Sequence, residues 1–251
     1  MDKIDLSNRS IAFDFDGVIC DSQYECFKIA YKAFNAHQKN DKVDDIFFKK
    51  NLHNFYKLRP FVYSGEDYVL IIYIILSGMN VNNVEDFQNV KRNQLNKIPS
   101  YRKSFYSIRE KYQNKNINEW ISLNKIYPKM HYLINQISLL TDKIYIVTTK
   151  DLKSVRIIKD YFSLNIKDKN IFSVSSKMTK EKVLINIMND NKHKSIYFLE
   201  DRLDTLVKIK NKNINRLLAN WGYNSEIDKA NAVKQNIMLV SMDEITTLFI
   251  K

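Results

Sequence analysis

Ile11-Ala-Phe-Asp-Phe-Asp-Gly-Val-Ile-Cys-Asp-Ser22 runs an uncharged apolar segment into two aspartates one residue apart and then a glycine. Ser10 to Phe13 carry no charge, as expected of a strand buried on both faces of a parallel sheet. Asp14 and Asp16 then emerge together at the carboxyl end of that strand, where open α/β sheets bind ligands. Gly17 lets the chain turn sharply with its backbone close to whatever is bound. Two acids so placed can divide labour, one attacking or holding a cation while the other moves a proton. The same residues also fit a solvated turn, and the rest of the chain has to decide between the two.

Working outward, punctuation is sparse, with 4 glycines and 3 prolines in 251 residues, so element boundaries are soft. From about Gln23 to Ile126 the apolar spacing is helical, with Tyr24, Phe27, Ala30, Tyr31 and Phe34 on one face. Further helices are expected over 44–58, 65–76, 84–96, 101–112 and 118–123. The longest apolar run, 69–76, falls well short of the ~20 residues of a bilayer span and reads as a buried helix. Acids at Glu66 and Asp67 suit that helix's first turn. Beyond Tyr127-Pro128 helix and strand alternate. Strands are expected over 144–147, 171–174, 195–199, 214–219 and 238–240, and helices over 130–140, 152–162, 180–188 and 204–210. Such alternation implies right-handed crossovers and a parallel sheet. The fold class is therefore α/β: a Rossmann-like parallel core from residues 1–22 and 128–251, interrupted after its first strand by an all-helical insertion, 23–127.

Composition narrows the function classes. A 45% hydrophobic content is that of a globular protein rather than a disordered one. Met1-Asp-Lys-Ile-Asp is mixed in charge rather than basic then apolar, so a cytoplasmic location is expected, with no membrane partner. Cys20 and Cys26, the 2 cysteines, suggest reduced thiols rather than a disulfide framework or a zinc site. The 4 histidines are dispersed, which also argues against zinc. A net charge of +12 favours anionic partners. Its lysines are spread along the chain with no basic arm, so a compositional bias is preferred over a nucleic-acid surface, and phosphorylated small substrates gain from either.

The opening stretch resembles motif I of the haloacid dehalogenase (HAD) superfamily, an apolar run followed by Asp-x-Asp-Gly-Val and then Asp-Ser, here Asp14 to Val18 and Asp21-Ser22. The other family signals follow in order. Ile144-Tyr-Ile-Val-Thr148-Thr149-Lys150 looks like motif II, in which the first hydroxyl and the next backbone N–H hold the transferring phosphoryl group. Lys180, before an apolar helical run, is the preferred motif III lysine, with Lys177 as competitor. Ile196-Tyr-Phe-Leu-Glu200-Asp201-Arg-Leu-Asp204 resembles motif IV. It departs from the pattern in which a second Asp follows four positions after the first, since Thr205 stands there and Asp204 lies one earlier. Asp201 is the preferred metal-directed acid, Glu200 the next, and Asp204 a supporting group acting through water or Lys180, with a charged helix start as the competing reading that suits Asp204 better than Asp201.

What the resemblance implies is a magnesium-dependent phosphohydrolase acting on a small phosphorylated metabolite. Asp14 would attack phosphorus to form an aspartyl-phosphate, and Asp16 would protonate the leaving oxygen and then activate water. Asp14, the backbone carbonyl of Asp16, and Asp201 would hold Mg2+, a hard cation that takes oxygen ligands. Asp16 disfavours dehalogenation, since family dehalogenases lack an acid there. The insertion corresponds to a C1-type cap that would close over the sheet edge, with Arg59, Tyr63 and Glu66 as candidate substrate contacts; a structural ion pair is the competing role for Arg59. A sugar-phosphate mutase, a nucleic-acid end phosphatase and a non-catalytic HAD-like binding protein remain as alternatives. Trp221-Gly222-Tyr223 is similar to a loop of the family that follows a late strand, and aromatic packing accounts for it equally.

Overall fold

The computed structural model describes residues 4–6, 8–37, 45–174 and 178–250. It divides into two compact units, one of residues 1–21 with 125–251 and one of residues 22–124. Among the described residues the strands are β1 (Arg9–Phe13), β2 (Cys20–Asp21), β3 (Lys125–Ile126), β4 (Ile144–Thr148), β5 (Ile171–Ser173), β6 (Ser195–Glu200), β7 (Ile214–Ala219) and β8 (Met238–Val240). Six of them form one sheet in the order β5-β4-β1-β6-β7-β8, and every pairing in it is parallel. The helices of this unit are α7 (Pro128–Leu140), α8 (Leu152–Tyr161), α9 (Lys180–Asp190), α10 (Leu203–Lys208), α11 (Glu226–Lys234) and, after the last strand, α12 (Met242–Phe249), numbered after the six helices of the other unit.

Both faces of the sheet are covered, which is why its central strands can be apolar throughout. On one face Ala12, Val147, Ile196, Phe198 and Leu218 pack with Val183, Leu184 and Ile187 of α9 and Leu206 of α10. On the other, the ring of Phe249 in α12 meets Tyr197 edge-on at 5.5 Å. β1 lies in the middle, and its register sets the site: Phe13 is opposite Ile146 of β4 and Leu199 of β6. β1 stops there while β4 and β6 run on to Thr148 and Glu200, so Asp14, Thr148 and Glu200 come to the same end of the sheet.

The predicted elements differ from the structure mainly at their ends. β4 and β6 each run one residue further than expected, to Thr148 and Glu200. Residues Lys125–Ile126 form β3, antiparallel to Cys20–Asp21, so the boundary between the units falls after Asn124 rather than after 127. α11 and α12 were not expected from apolar spacing, yet each opens on a serine capping box, Ser225 with Asp228 and Ser241 with Glu244, which closes orphan N–H groups at both ends of the first turn.

The unit of residues 22–124 is helical: α1 (Gln23–His37), α2 (Asp45–Leu58), α3 (Gly65–Leu76), α4 (Val84–Asn93), α5 (Ile98–Lys115) and α6 (Ile117–Ser122). α3 is apolar on all sides because it is buried on nearly all sides, with Val69, Leu70, Ile71 and Ile72 fully enclosed. A ladder of rings fastens it to its neighbours. Phe27 stacks on Phe55 at 4.3 Å, Phe55 on Tyr68 at 6.0 Å, and Tyr68 on Phe105 at 5.5 Å. A second fastening is polar: Glu25 accepts from Arg109 Nε and Nη2 at 2.8 Å each and from Trp120 Nε1 at 2.9 Å. These groups are buried, and the ion pair is tolerable there because the carboxylate is multiply hydrogen-bonded. Among the described residues no helix is long and apolar enough to cross a membrane.

Candidate active site

Adjacent β4, β1 and β6 bring Thr148, Asp14 and Glu200-Asp201 to one edge of the sheet. The strand-like pairing continues through Asp14, whose N–H donates to Leu199 O at 2.8 Å. The chain then turns on itself: Gly17 N–H donates to Cys20 O at 2.8 Å, and Ile19 and Cys20 donate to Phe15 O at 2.9 Å. Gly17 has φ of +79°, and a Cβ there would lie 2.2 Å from Asp201 Oδ2. Glycine is required at this position both for its backbone and for the space that Asp201 occupies.

Asp14 is buried. Its Oδ1 accepts from Phe15 N–H at 2.8 Å, its Oδ2 lies 2.9 Å from Lys180 Nζ, and the Thr148 hydroxyl bonds to the carboxylate. Lys180 is the first residue of α9, capped by the Thr179 side chain, and also reaches Glu200 Oε2 at 2.7 Å. Glu200 Oε1 accepts from the N–H groups of Asp201 at 3.1 Å and Arg202 at 3.2 Å. Both oxygens of Glu200 are thus committed to the protein. Asp201 is held by the loop after β7: Tyr223 N–H donates to its Oδ2 at 2.9 Å and Asn224 Nδ2 to its carbonyl at 3.0 Å. Gly222 makes that approach possible, since a Cβ on it would lie 2.2 Å from Asp201 Cβ.

Of the residues expected from sequence, the structure brings Asp14, Asp16, Thr148, Lys180, Glu200 and Asp201 to this edge. Thr149 follows Thr148 and is exposed. Lys177 lies outside the described residues. Asp204 is a correction in one respect: it pairs with Arg202 Nε at 3.0 Å and Lys208 Nζ at 3.4 Å, while Lys180 pairs with Asp14 and Glu200, so it does not act through Lys180. The physical reason is that α10 begins at Leu203, which turns Asp204 onto the basic side chains at the helix's two ends. Arg59 lies in the helical unit, buried, with its guanidinium 5.1 Å from the centre of the Tyr68 ring.

Two features were missed. One is the clamp on Asp201 by Gly222, Tyr223 and Asn224, a role that neither expectation for this loop, a family-like loop or aromatic packing, contains. The other is Lys150, whose Nζ lies 3.0 and 3.3 Å from the two oxygens of Asp16. The signal for it was its place two residues past the strand-end threonine: its N–H donates to Thr148 Oγ1 at 3.2 Å, so the turn that presents Thr148 also presents Lys150.

The electrostatics follow from burial. Desolvation, with the charge of Glu200 adding to it, pushes Asp14 up to about 7 against the pull of Lys180 and Thr148. Burial also raises Glu200, opposed by Lys180. Burial works against the charge of Lys180, but Asp14 and Glu200 prevail and hold its ammonium above the ordinary lysine value. Lys180 therefore keeps its proton. Four carboxylates at this edge, those of Asp14, Asp16, Glu200 and Asp201, face the two ammonium groups of Lys150 and Lys180. That excess of negative charge suits a divalent cation. Asp14, Glu200 and Asp201 each offer an oxygen within 4.8 Å of the others, an all-oxygen set of the kind that hard cations take.

No family model matches the chain, and no curated protein sequence matches it. Solved structures do. A haloacid dehalogenase-like family hydrolase from Streptococcus pneumoniae superposes with a TM-score of 0.60 at 15% identity over 93% of each chain. A predicted phosphoglycolate phosphatase from Haemophilus somnus 129PT gives 0.62 at 12% identity over 94% of each. A HAD family hydrolase from Deinococcus radiodurans R1, solved with bound phosphate and sodium, gives 0.54 at 11% identity over 94% of this chain and 92% of the other. Similarity at such low identity speaks for the backbone alone, and it agrees with the parallel sheet and its strand order: the chain has the haloacid dehalogenase-like α/β fold.

Proposed function

We propose that the chain is a magnesium-dependent phosphohydrolase that cleaves a phosphomonoester of a small metabolite through a phosphorylated Asp14. The observation that carries this reading is the setting of Asp14: a buried carboxylate 2.9 Å from the Lys180 ammonium, bonded by Thr148 and grouped with Asp201. The Streptococcus and Haemophilus neighbours, described as a hydrolase and a predicted phosphatase, support the same class.

In this reading Asp14 attacks phosphorus as the bond to the leaving oxygen breaks, and Asp16 gives that oxygen its proton. Asp16 then takes a proton from the water that attacks the phosphoryl group, releasing phosphate and restoring the Asp14 carboxylate. Thr148 Oγ1 and the backbone N–H of Thr149 hold phosphoryl oxygens, and Lys180 offsets their negative charge. Asp14, the Asp16 carbonyl and Asp201 would hold Mg2+, which when bound supplies charge neutralisation at the transferring group. The helical unit of residues 22–124 is read as a C1-type cap that selects the substrate. The test is phosphate release from a panel of phosphomonoesters, with magnesium and with chelator, for the wild type and Asp14→Asn. Release that needs magnesium and is abolished by the substitution supports the reading. Release indifferent to both contradicts it, and phosphate moved along the substrate without release assigns a mutase instead.

A further inference from the structure

Lys150 has no part in the steps above, yet its side chain is 1% exposed and its ammonium spans both oxygens of Asp16, at 3.0 and 3.3 Å. Burying an ammonium is costly unless it is paired, so this placement is specified by the fold rather than incidental. The backbone specifies it too, because Lys150 N–H is tied to Thr148 Oγ1. Asp16 needs such a partner. It lies beyond the end of β1 on the turn closed by Gly17, and its side chain is 22% exposed, whereas Asp14 next to it is fixed by three bonds. A carboxylate on a turn samples several rotamers, and proton transfer requires it within hydrogen-bond reach of the reacting oxygen.

We infer that Lys150 is the positioning residue for Asp16, holding its carboxylate in the one orientation from which a proton passes to and from the substrate oxygen. The inference rests on the phosphohydrolase reading. In the first step the Asp14–phosphorus bond forms, the bond from phosphorus to the leaving oxygen breaks, and the proton on Asp16 moves to that oxygen. A leaving group that is already a stable anion, such as 4-nitrophenolate, departs without the proton, whereas an alkoxide does not. Loss of positioning therefore harms the two kinds of ester unequally, while loss of general structure harms them alike.

The experiment measures kcat/KM, which reports the steps through leaving-group departure, with 4-nitrophenyl phosphate, phenyl phosphate and glycerol phosphate for the wild type, Lys150→Met and Lys150→Arg. For Lys150→Met the expected result is a loss of about a hundredfold with glycerol phosphate and under about threefold with 4-nitrophenyl phosphate. Lys150→Arg, which keeps a cation in reach of Asp16, recovers most of the loss. Equal losses on all three esters, or no loss on any, overturn the inference while leaving the phosphohydrolase reading intact. A wild type inactive on every ester overturns both. Lys150→Gln, neutral but able to donate to a carboxylate, replaces Lys150→Met if that variant does not fold, and it is expected to show the same inequality in weaker form.

Discussion

Replacing Gly222 with alanine tests how tightly the site is built. The added Cβ would lie 2.2 Å from Asp201 Cβ and 3.2 Å from its Cα, with Gly17 O at 3.0 Å on another side. Ordinary contact begins near 3.4 Å, so Asp201 and the Gly222 loop must separate by about 1.2 Å, a displacement that shared backbone and a short side chain cannot absorb. That is more than twice the roughly 0.5 Å within which a ligating or catalytic group must be held. The separation also draws Tyr223 N–H away from Asp201 Oδ2. Expected costs are about 1–3 kcal/mol of stability from overpacking and a loss of about ten- to a hundredfold in metal affinity from the displaced support. Calorimetric titration of the folded variant with Mg2+ or Mn2+ reads the second quantity, and thermal unfolding reads the first. Gly78→Ala is the control: φ there is +63° but nothing lies within 4 Å, so it costs backbone strain and leaves metal affinity unchanged. A folded Gly222→Ala protein that binds metal within threefold of the wild type would refute the argument that this loop positions Asp201.

Metal affinity should also depend on pH, because Asp14 must lose a proton to become a ligand and loses it at about 7. Affinity rises by about tenfold per unit up to that value and then flattens; titrations between pH 5.5 and 8.5 that show no slope would contradict it. The sign is consistent with folding. The folded protein keeps a proton that the unfolded chain releases near 3.8, so the stability of the metal-free protein falls as pH rises between those values, and Asp14→Asn removes that slope. In the helical unit, Glu25→Ala strands the buried Arg109 guanidinium and is expected to cost about 3–5 kcal/mol by denaturant unfolding, while Glu25→Leu with Arg109→Met recovers most of it. Asp204→Ala leaves phosphate release within about threefold of the wild type, because Asp204 pairs with Arg202 just before its helix and Lys208 at its end; a loss comparable to that of Asp201→Ala would restore it to the site.

The sheet was legible because its strands are short uncharged runs between helical segments, whereas its order, with β1 in the middle, was not. Asp14, Thr148 and Asp201 were legible for a related reason: each ends such a run, and parallel register carries strand ends to one edge. Lys150 was not singled out, since its one local mark, a place two residues past Thr148, does not say that its ammonium reaches Asp16 until the turn is seen. For Asp204 the competing reading, a charged helix start, is the one the structure has, with α10 beginning at Leu203. Gly222 reads as an ordinary loop glycine until Asp201 is seen to occupy the space its side chain would fill. Lys180 was singled out by the order of motifs alone, and its contacts with Asp14 and Glu200 at 2.9 and 2.7 Å come into view only in three dimensions.

The central claim is a covalent bond between phosphorus and Asp14, and acid quenching during turnover of a phosphomonoester tests it directly. Borohydride reduction of the quenched protein converts an acyl phosphate to an alcohol, and mass spectrometry of the tryptic peptide spanning residues 10–28 locates the change. The expected result is reduction at Asp14 that requires magnesium and substrate and is missing in Asp14→Asn. An unmodified peptide from an enzyme turning over at full rate, or reduction at Asp16 or Asp21 in place of Asp14, would contradict it.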